Sequence, residues 1–319
     1  MSIDSRAPEA ARPGRGTPAR PGRSRRGPTR PGTNRFGPLP WIAPAVLLIL
    51  FVVLWPVYEM VHASFLRIST SGFVRGSAGL DKYRKLFGET DLGHVLLATV
   101  LWTLAVVGLT MLLSLGLAQL FDQRFPGRRF TRWALIAPWA ASVLMTSIGF
   151  KWMLDRTAGV LNTALTDLGL TDGPEDWLGD PATAWPWMVF VAVFVSLPFT
   201  TYTLLAGLQT VPGEVYEAAR VDGASPRQTY LRITLPLLRP AFLVGLVINL
   251  INVFNSFPVI WGMTQGGPSS ATATTTVFMY QLKSTDIGES AAMSVVNFLL
   301  VVLMVLAFLK VGRWNGEES

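Results

Sequence analysis

Half of the 319 residues are hydrophobic and only 15% are charged, and the mean hydropathy is +0.40. So little polar surface excludes an ordinary soluble globule and indicates a membrane protein. The net charge of +7 is no nucleic-acid face, since nine arginines (Arg6, Arg12, Arg15, Arg20, Arg23, Arg25, Arg26, Arg30 and Arg35) precede the first apolar segment; the absence of cysteine excludes disulfides, thiol nucleophiles and zinc–thiolate sites.

Residues 1–37 repeat Arg-Pro-Gly at 12–14, 20–22 and 30–32 and hold almost no large apolar side chains. Such a segment cannot bury enough surface to offset its ordering entropy, so a disordered basic tail is expected, followed by one membrane domain over 38–319. Six stretches reach the length of about 20 apolar residues that a bilayer crossing needs. They run over Trp41–Val61, Val95–Leu120, Trp133–Met153, Trp185–Leu208, Ala241–Gly262 and Ala291–Lys310. The fold class expected is therefore an all-α polytopic membrane protein with six transmembrane helices. Trp41, Trp55, Trp102, Trp133, Trp152, Trp185 and Trp187 fall toward segment ends, where amphipathic rings sit at the headgroup level. His62 and His94 stand singly and read as interfacial side chains, so no metal site is expected.

With the N-terminus inside, the cytoplasmic segments carry 19 basic residues and the outer ones 8. Both termini are then cytoplasmic, as the positive-inside rule requires of an even number of spans. The outer loop from Asp155 to Ala184 carries Asp167, Asp172, Glu175, Asp176 and Asp180. Leu161, Leu165 and Leu168 within it have helical spacing and predict a short amphipathic helix, either an interfacial helix or part of a docking face.

Between the fourth and fifth stretches the chain turns polar. Pro212 can open a helix that runs through Glu217 to Asp222, and Gly223 permits its stop. Ser225-Pro226-Arg227-Gln228 then reads as an N-cap, a first-turn proline and a capping-box glutamine, predicting a second helix through Tyr230 and Ile233 that ends near Pro236. Ala218 and Ala219 are small enough for close approach by a partner. The Glu217 carboxylate can receive an arginine through two parallel hydrogen bonds.

The run Glu217-Ala218-Ala219-Arg220-Val221-Asp222-Gly223-Ala224-Ser225, with Ile233-Thr234-Leu235-Pro236 after it, resembles the cytoplasmic EAA loop of ABC importer permeases. Gly79-Leu80-Asp81-Lys82-Tyr83, Ala206-Gly207-Leu208 and Gly266-Gly267-Pro268 are similar to further motifs of the carbohydrate-type subfamily, represented by the maltose and glycerol-3-phosphate systems. Gln265 stands where that subfamily often has glycine. The resemblance implies that Glu217, Ala218, Ala219, Asp222, Gly223 and Ala224 couple the chain to an ATPase. It also implies two ABC ATPase subunits, a second homologous permease forming a heterodimer, an extracytoplasmic solute-binding protein and a bacterial inner membrane. This chain has no Gly-x-x-x-x-Gly-Lys-Ser/Thr cradle, and none of its five lysines lies in a Gly-rich loop. ATP and Mg would therefore sit on the partner subunits, with no cofactor on this chain, and the chain is not expected to be an enzyme.

Asn249, Asn252, Asn255 and Ser256 fall within roughly a 120° arc if the fifth stretch is one helix. Amides in a span seek the bundle interior. With Asn297 of the sixth stretch they are the expected substrate path; Phe254, Phe257 and Trp261 share the fifth helix and could face a sugar ring. The alternatives are interhelical hydrogen bonding for the amides and a non-sugar solute such as a glycerophosphate. An ion-coupled secondary transporter would carry an acid or histidine at a span midpoint, and none is found there.

Overall fold

The structure, a computed structural model, describes residues 39–314, so the basic tail over 1–37 lies outside the described residues. The chain divides into two units, one through Val52 and one from Val53 on. Among the described residues the first unit holds only the start of helix α1 (Leu39–Ser64), whose apolar side chains are exposed. All packing below concerns the second unit.

After α1 comes a departure from the all-α expectation. Strands β1 (Leu66–Ile68) and β2 (Val74–Ser77) form a small antiparallel ladder in which Ile68 faces Val74. Helix α2 (Asp81–Gly88) follows, then the long α3 (Leu92–Asp122). Next come α4 (Arg128–Ala140), α5 (Val143–Met153), the outer-loop helix α6 (Val160–Asp167) and α7 (Pro181–Leu208). The α6 helix is the one predicted by the leucine spacing. Despite Pro186 and Pro198, α7 is continuous.

Helices α3 and α7 are the centre of the bundle, each with half of its most apolar window buried. Lipid is as apolar as leucine, so small residues and hydrogen bonds hold such a pair rather than water exclusion. Thr201 Oγ1 donates to Ser114 Oγ across this interface at 3.2 Å. Gly207 shows the same logic one layer down. A Cβ there would overlap Ala241 Cβ and come 2.9 Å from Leu238 Cδ1, so glycine sets how closely the end of α7 meets the start of the fifth stretch. Ala118, Phe121, Leu204, Leu205, Leu208 and Leu238 bury one another there.

Among the described residues, four helices can cross a bilayer unbroken: Trp41–Ser64, Leu92–Asp122, Pro181–Leu208 and Ile287–Phe308. The third expected span is instead α4 and α5, separated by extended backbone at Ala141 and Ser142. At 1.5 Å per residue each piece reaches only about 20 Å, short of the roughly 30 Å hydrocarbon core.

The fifth expected span is also interrupted. Helix α11 (Arg239–Phe254) stops at Asn255-Ser256, and α12 (Phe257–Met263) restarts with Pro258 in its first turn. Proline has no N–H for the Phe254 carbonyl, so the helix cannot run through. Composition is blind to both interruptions because the flanking residues remain apolar. The last helices are α13 (Thr275–Lys283) and α14 (Ile287–Trp314), joined to α12 by a loop through Gly266-Gly267-Pro268.

Candidate functional site

The polar hairpin is built from its caps. Helix α8 (Gly213–Val221) ends in paired bonds, Gly223 N–H to Arg220 O (3.1 Å) and Ala224 N–H to Ala219 O (2.9 Å). This closing motif places the C′ residue in the left-handed region, and Gly223 has φ +72°. Two residues on, Ser225 Oγ accepts the Gln228 N–H (3.3 Å) while Gln228 Oε1 accepts the Ser225 N–H (2.9 Å). The next helix comprises α9 (Pro226–Thr229), a π-turn over Tyr230–Thr234 and α10 (Leu235–Leu237). It then bends by 66° into α11. The hairpin is thus continuous with the fifth stretch, with buried Leu238 at the bend.

Glu217, Ala218, Asp222 and Gly223 are exposed and Ala224 is half-buried, while no ion pair engages Glu217 or Asp222 among the described residues. Val221 is 88% exposed at the tip. Of the two alanines expected to admit a partner, Ala218 lies at the surface and Ala219 is buried within the chain. Behind the hairpin lies a cavity of about 370 Å³, where Gln119 and Asp122 of α3 face Tyr216, Arg220 and Tyr230.

The second feature is a groove of about 460 Å³ walled by the α4–α5 joint, α7, α11 and α12. It brings together Asn249, Asn252, Asn255 and Ser256. The single-helix arc is not the reason, because α11 ends at Phe254; Asn255 and Ser256 reach the groove from the break itself. Asn249 is buried, and its Nδ2 has no hydrogen-bond partner. Asn252 is exposed to the groove, and Asn255 Nδ2 is spent locally on Ile251 O at 3.0 Å.

Asn297 is not part of this set. It is buried, and its Oδ1 accepts the Thr275 hydroxyl at 2.8 Å, which ties α14 to α13. The aromatic expectation also changes. Phe257 and Trp261 stack on each other and pack against Tyr280 instead of lining the groove, and Phe254 is buried. The rings that line it are Trp139 and Phe199.

Trp102 is the residue that sequence reading misplaced. It is not at the headgroup level but 1% exposed within α3. Its Nε1–H reaches Ser256 Oγ (2.6 Å) and Val253 O (3.2 Å), both at the helix break. A carbonyl freed by a broken span needs a donor that lipid cannot supply. Trp102 adds one from 151 residues away, to a Val253 carbonyl that also accepts the Ser256 N–H at 3.2 Å.

At the opposite end of the bundle from the hairpin, α2 is fastened to the start of α14. Lys82 Nζ bonds Asp286 Oδ2 at 2.6 Å, and Lys85 pairs with the fully buried Glu289 and lies 3.7 Å from Asp286. Burial pushes the Asp286 carboxyl up, but Lys82, the Glu289 N–H and Lys85 together hold it below its ordinary value. The hydrogen bond to Glu289 raises Lys85 above its own. The Gly79–Tyr83 motif therefore serves as a fastening, with Tyr83 OH also meeting Ser64 Oγ at 2.8 Å. In the outer loop, buried Asn162 gathers Asp155 O, Glu175 O and Trp177 Nε1, leaving Asp167, Asp172, Glu175, Asp176 and Asp180 exposed. Among the described residues no cluster of three or more His, Asp and Glu side chains could hold a metal ion.

Residues 95–313 match the family described as binding-protein-dependent transport system inner membrane component. The chain is 36% identical over 280 residues to a probable ABC transporter permease protein of Brucella suis, covering 87% of this chain and 96% of that one. It is 31% identical to the trehalose/maltose transport system permease protein MalF of Thermococcus litoralis (86% and 93% covered). It is 32% identical to the sulfoquinovosyl glycerol transport system permease protein SmoG of Agrobacterium fabrum (85% and 89%). Its fold matches a chain of a bacterial ABC transporter that imports the acidic polysaccharide alginate, with TM-score 0.73, 21% identity, and 86% and 94% covered. These matches run through the hairpin, the broken helices and the last span alike, and the chain belongs to the binding-protein-dependent transport system inner membrane components, as a multi-pass, non-catalytic ABC permease of sugar-related type that binds no cofactor itself.

Proposed function

We propose that this chain is one of two homologous permease subunits of an importer that carries a sugar or oligosaccharide inward by ATP-driven alternating access. Two ATPase subunits grip the hairpin between spans 4 and 5, and an extracytoplasmic binding protein delivers the solute. The chain crosses the membrane six times, the α4–α5 pair and the α11–α12 pair each counting as one interrupted crossing, and both termini are cytoplasmic.

The observation that carries this reading is the continuity of the hairpin with α11, which bears Asn249 and Asn252. A push on exposed Glu217 and Ala218 travels through capped helices and the 66° bend to the groove wall. The capping motif at Gly223 and the capping box at Ser225 make the hairpin stiff enough to act as a lever.

The groove favours an uncharged solute over a glycerophosphate. Its lining has amides, hydroxyls and two aromatic rings, and no Asp, Glu, Lys, Arg or His. A phosphate drawn out of water would need a cation there, since an unpaired buried charge is strongly unfavourable. The buried Asn249 amide is instead a free donor for a sugar hydroxyl. The test is transport in proteoliposomes holding the co-purified complex. Neutral sugar should be carried, and Asn249→Leu should lower its uptake about tenfold, as loss of a buried hydrogen bond predicts. Uptake of a glycerophosphate to the exclusion of neutral sugars would overturn the substrate class.

A further inference from the structure

The transport reading leaves one charged surface unused. Arg128, Arg129 and Arg132 of α4 line a cavity of about 250 Å³ together with Trp133 and Ile136. No carboxylate lies within ion-pair distance of these arginines among the described residues. Arg132 uses one Nη to reach Phe121 O at 2.7 Å, while the buried Nε–H groups of Arg128 and Arg132 have no acceptor. Three guanidinium charges concentrated without a counter-charge leave an electrostatic demand that the protein does not meet.

A second cavity of about 250 Å³ lies beside the first, with Ile136 lining both. Its other walls are Trp139, Pro198, Phe199 and Tyr202. The Tyr202 hydroxyl donates to Arg132 O at 3.0 Å, so its polar atom is already satisfied. The order along α4 is thus cationic pocket, then apolar trough. Phe130 (77% exposed) and Trp133 (65% exposed) flank the step as interfacial rings do. Arg132 also sits at the hairpin end of the bundle, because Phe121 and Leu208 pack together there.

We propose that α4 carries a binding site for an anionic phospholipid, with the phosphate headgroup in the arginine pocket and an acyl chain along the trough. The shape argues for lipid over a protein partner, since the charge and the apolar groove meet at one residue in the order that a phosphodiester and its chain require. Basic side chains near an anionic leaflet each add roughly fivefold to such binding. The site would hold the start of the interrupted α4–α5 crossing at the membrane surface, where α4 alone is too short to anchor itself.

The test uses the full chain in mild detergent, with phosphatidylglycerol, phosphatidylcholine or millimolar inorganic phosphate added. Lipid retained per chain after gel filtration is measured by mass spectrometry. Wild type should retain phosphatidylglycerol, and R128Q/R129Q should retain at least about tenfold less, with phosphatidylcholine unchanged. Arg132 is left intact because it bonds Phe121 O, and R128K/R129K should restore most of the retention if the fold is sound. R75Q/R156Q, which removes the same charge from the outer loops, should have no effect. Equal retention by wild type and R128Q/R129Q overturns the proposal. So does displacement of the lipid by inorganic phosphate, which would assign the pocket to a free anion. Loss of a co-purifying permease from R128Q/R129Q with lipid retention unchanged would assign the arginines to a protein contact and overturn it as well.

Discussion

The hairpin after α7 and the break between α11 and α12 both stop a helix and restart the chain in another, yet they are made in opposite ways. The hairpin is specified locally, since the Gly223 stop and the Ser225–Gln228 box lie within six residues and satisfy each other's backbone. Glu217, Ala218, Asp222 and Gly223, proposed above to meet the ATPase, are left uncovered. At the break the Asn255 backbone and amide close onto Ile251 O, Ser256 caps the next helix with no side-chain bond, and Trp102 from a distant helix adds a donor to Ser256 Oγ and Val253 O. A lever that meets a partner in water can be self-sufficient, whereas a broken helix inside a membrane must borrow its hydrogen bonds.

The first way to break this comparison is at the hairpin surface. Glu217→Lys reverses an exposed charge without touching any bond within the chain, and Gly223→Pro removes the left-handed stop. Both should lower uptake about a hundredfold or more while the protein still inserts, Glu217→Lys by setting a charge against its own sign in an interface and Gly223→Pro by a ring that cannot take the φ of +72° there. Uptake and membrane fractionation on the same cells check this; normal uptake with either variant contradicts the lever.

At the groove, the prediction concerns stability as well as transport. Trp102→Phe keeps an aromatic ring, though a smaller one, and deprives Ser256 Oγ and Val253 O of their shared donor. The cost should be about 1–3 kcal/mol, read as earlier thermal unfolding in detergent, whereas Glu217→Lys should leave unfolding unchanged. If both variants melt alike, the borrowed hydrogen bond is not what holds the break.

A smaller effect sharpens the contrast between ends of the bundle. The Asp286 carboxyl is held below its ordinary value, so its fastening of α2 to α14 contributes fully at neutral pH and is lost as pH falls through the acid range where that carboxyl takes up its proton. Lys85 is held above its ordinary value by Glu289, so its contribution persists through neutral pH and is lost only in the far alkaline range. Melting temperature against pH should therefore fall off at the acid and the far alkaline limits, and Asp286→Asn should blunt the acid limb. An unchanged acid limb in that variant would remove Asp286 from the account.

Much of this was legible in the sequence, and what was not has a common cause. Gly223, Ser225 and Gln228 act on neighbours, so their roles could be read from spacing alone. Hydropathy located the apolar stretches but saw neither joint, although Pro258 was a usable signal for the second. Trp102, Asn297 and the pairing of Lys82 with Asp286 depend on contacts that no local pattern encodes. Gln265 lies between these cases. Its resemblance family often has glycine there, and its φ of +56° is the reason. Gln265→Gly should change stability by no more than about 1 kcal/mol, the relief of backbone strain being offset by glycine's greater unfolded entropy. A loss well beyond that in thermal melts would mean that the side chain has a contact of its own.

The central claim is that an exposed hairpin on this chain is gripped by a separate ATPase. Because the chain has no cysteine, Ala218→Cys introduces a single thiol at an exposed position on that hairpin. A maleimide–benzophenone reagent, bonded through its maleimide to the introduced thiol and photoactivated to insert into a neighbouring C–H bond, should join the tagged variant in native membranes covalently to an ATPase subunit, identified by mass spectrometry. The same substitution at Ala219, which is buried, should not. Recovery of only the uncrosslinked chain from Ala218→Cys membranes that import solute normally would contradict the account.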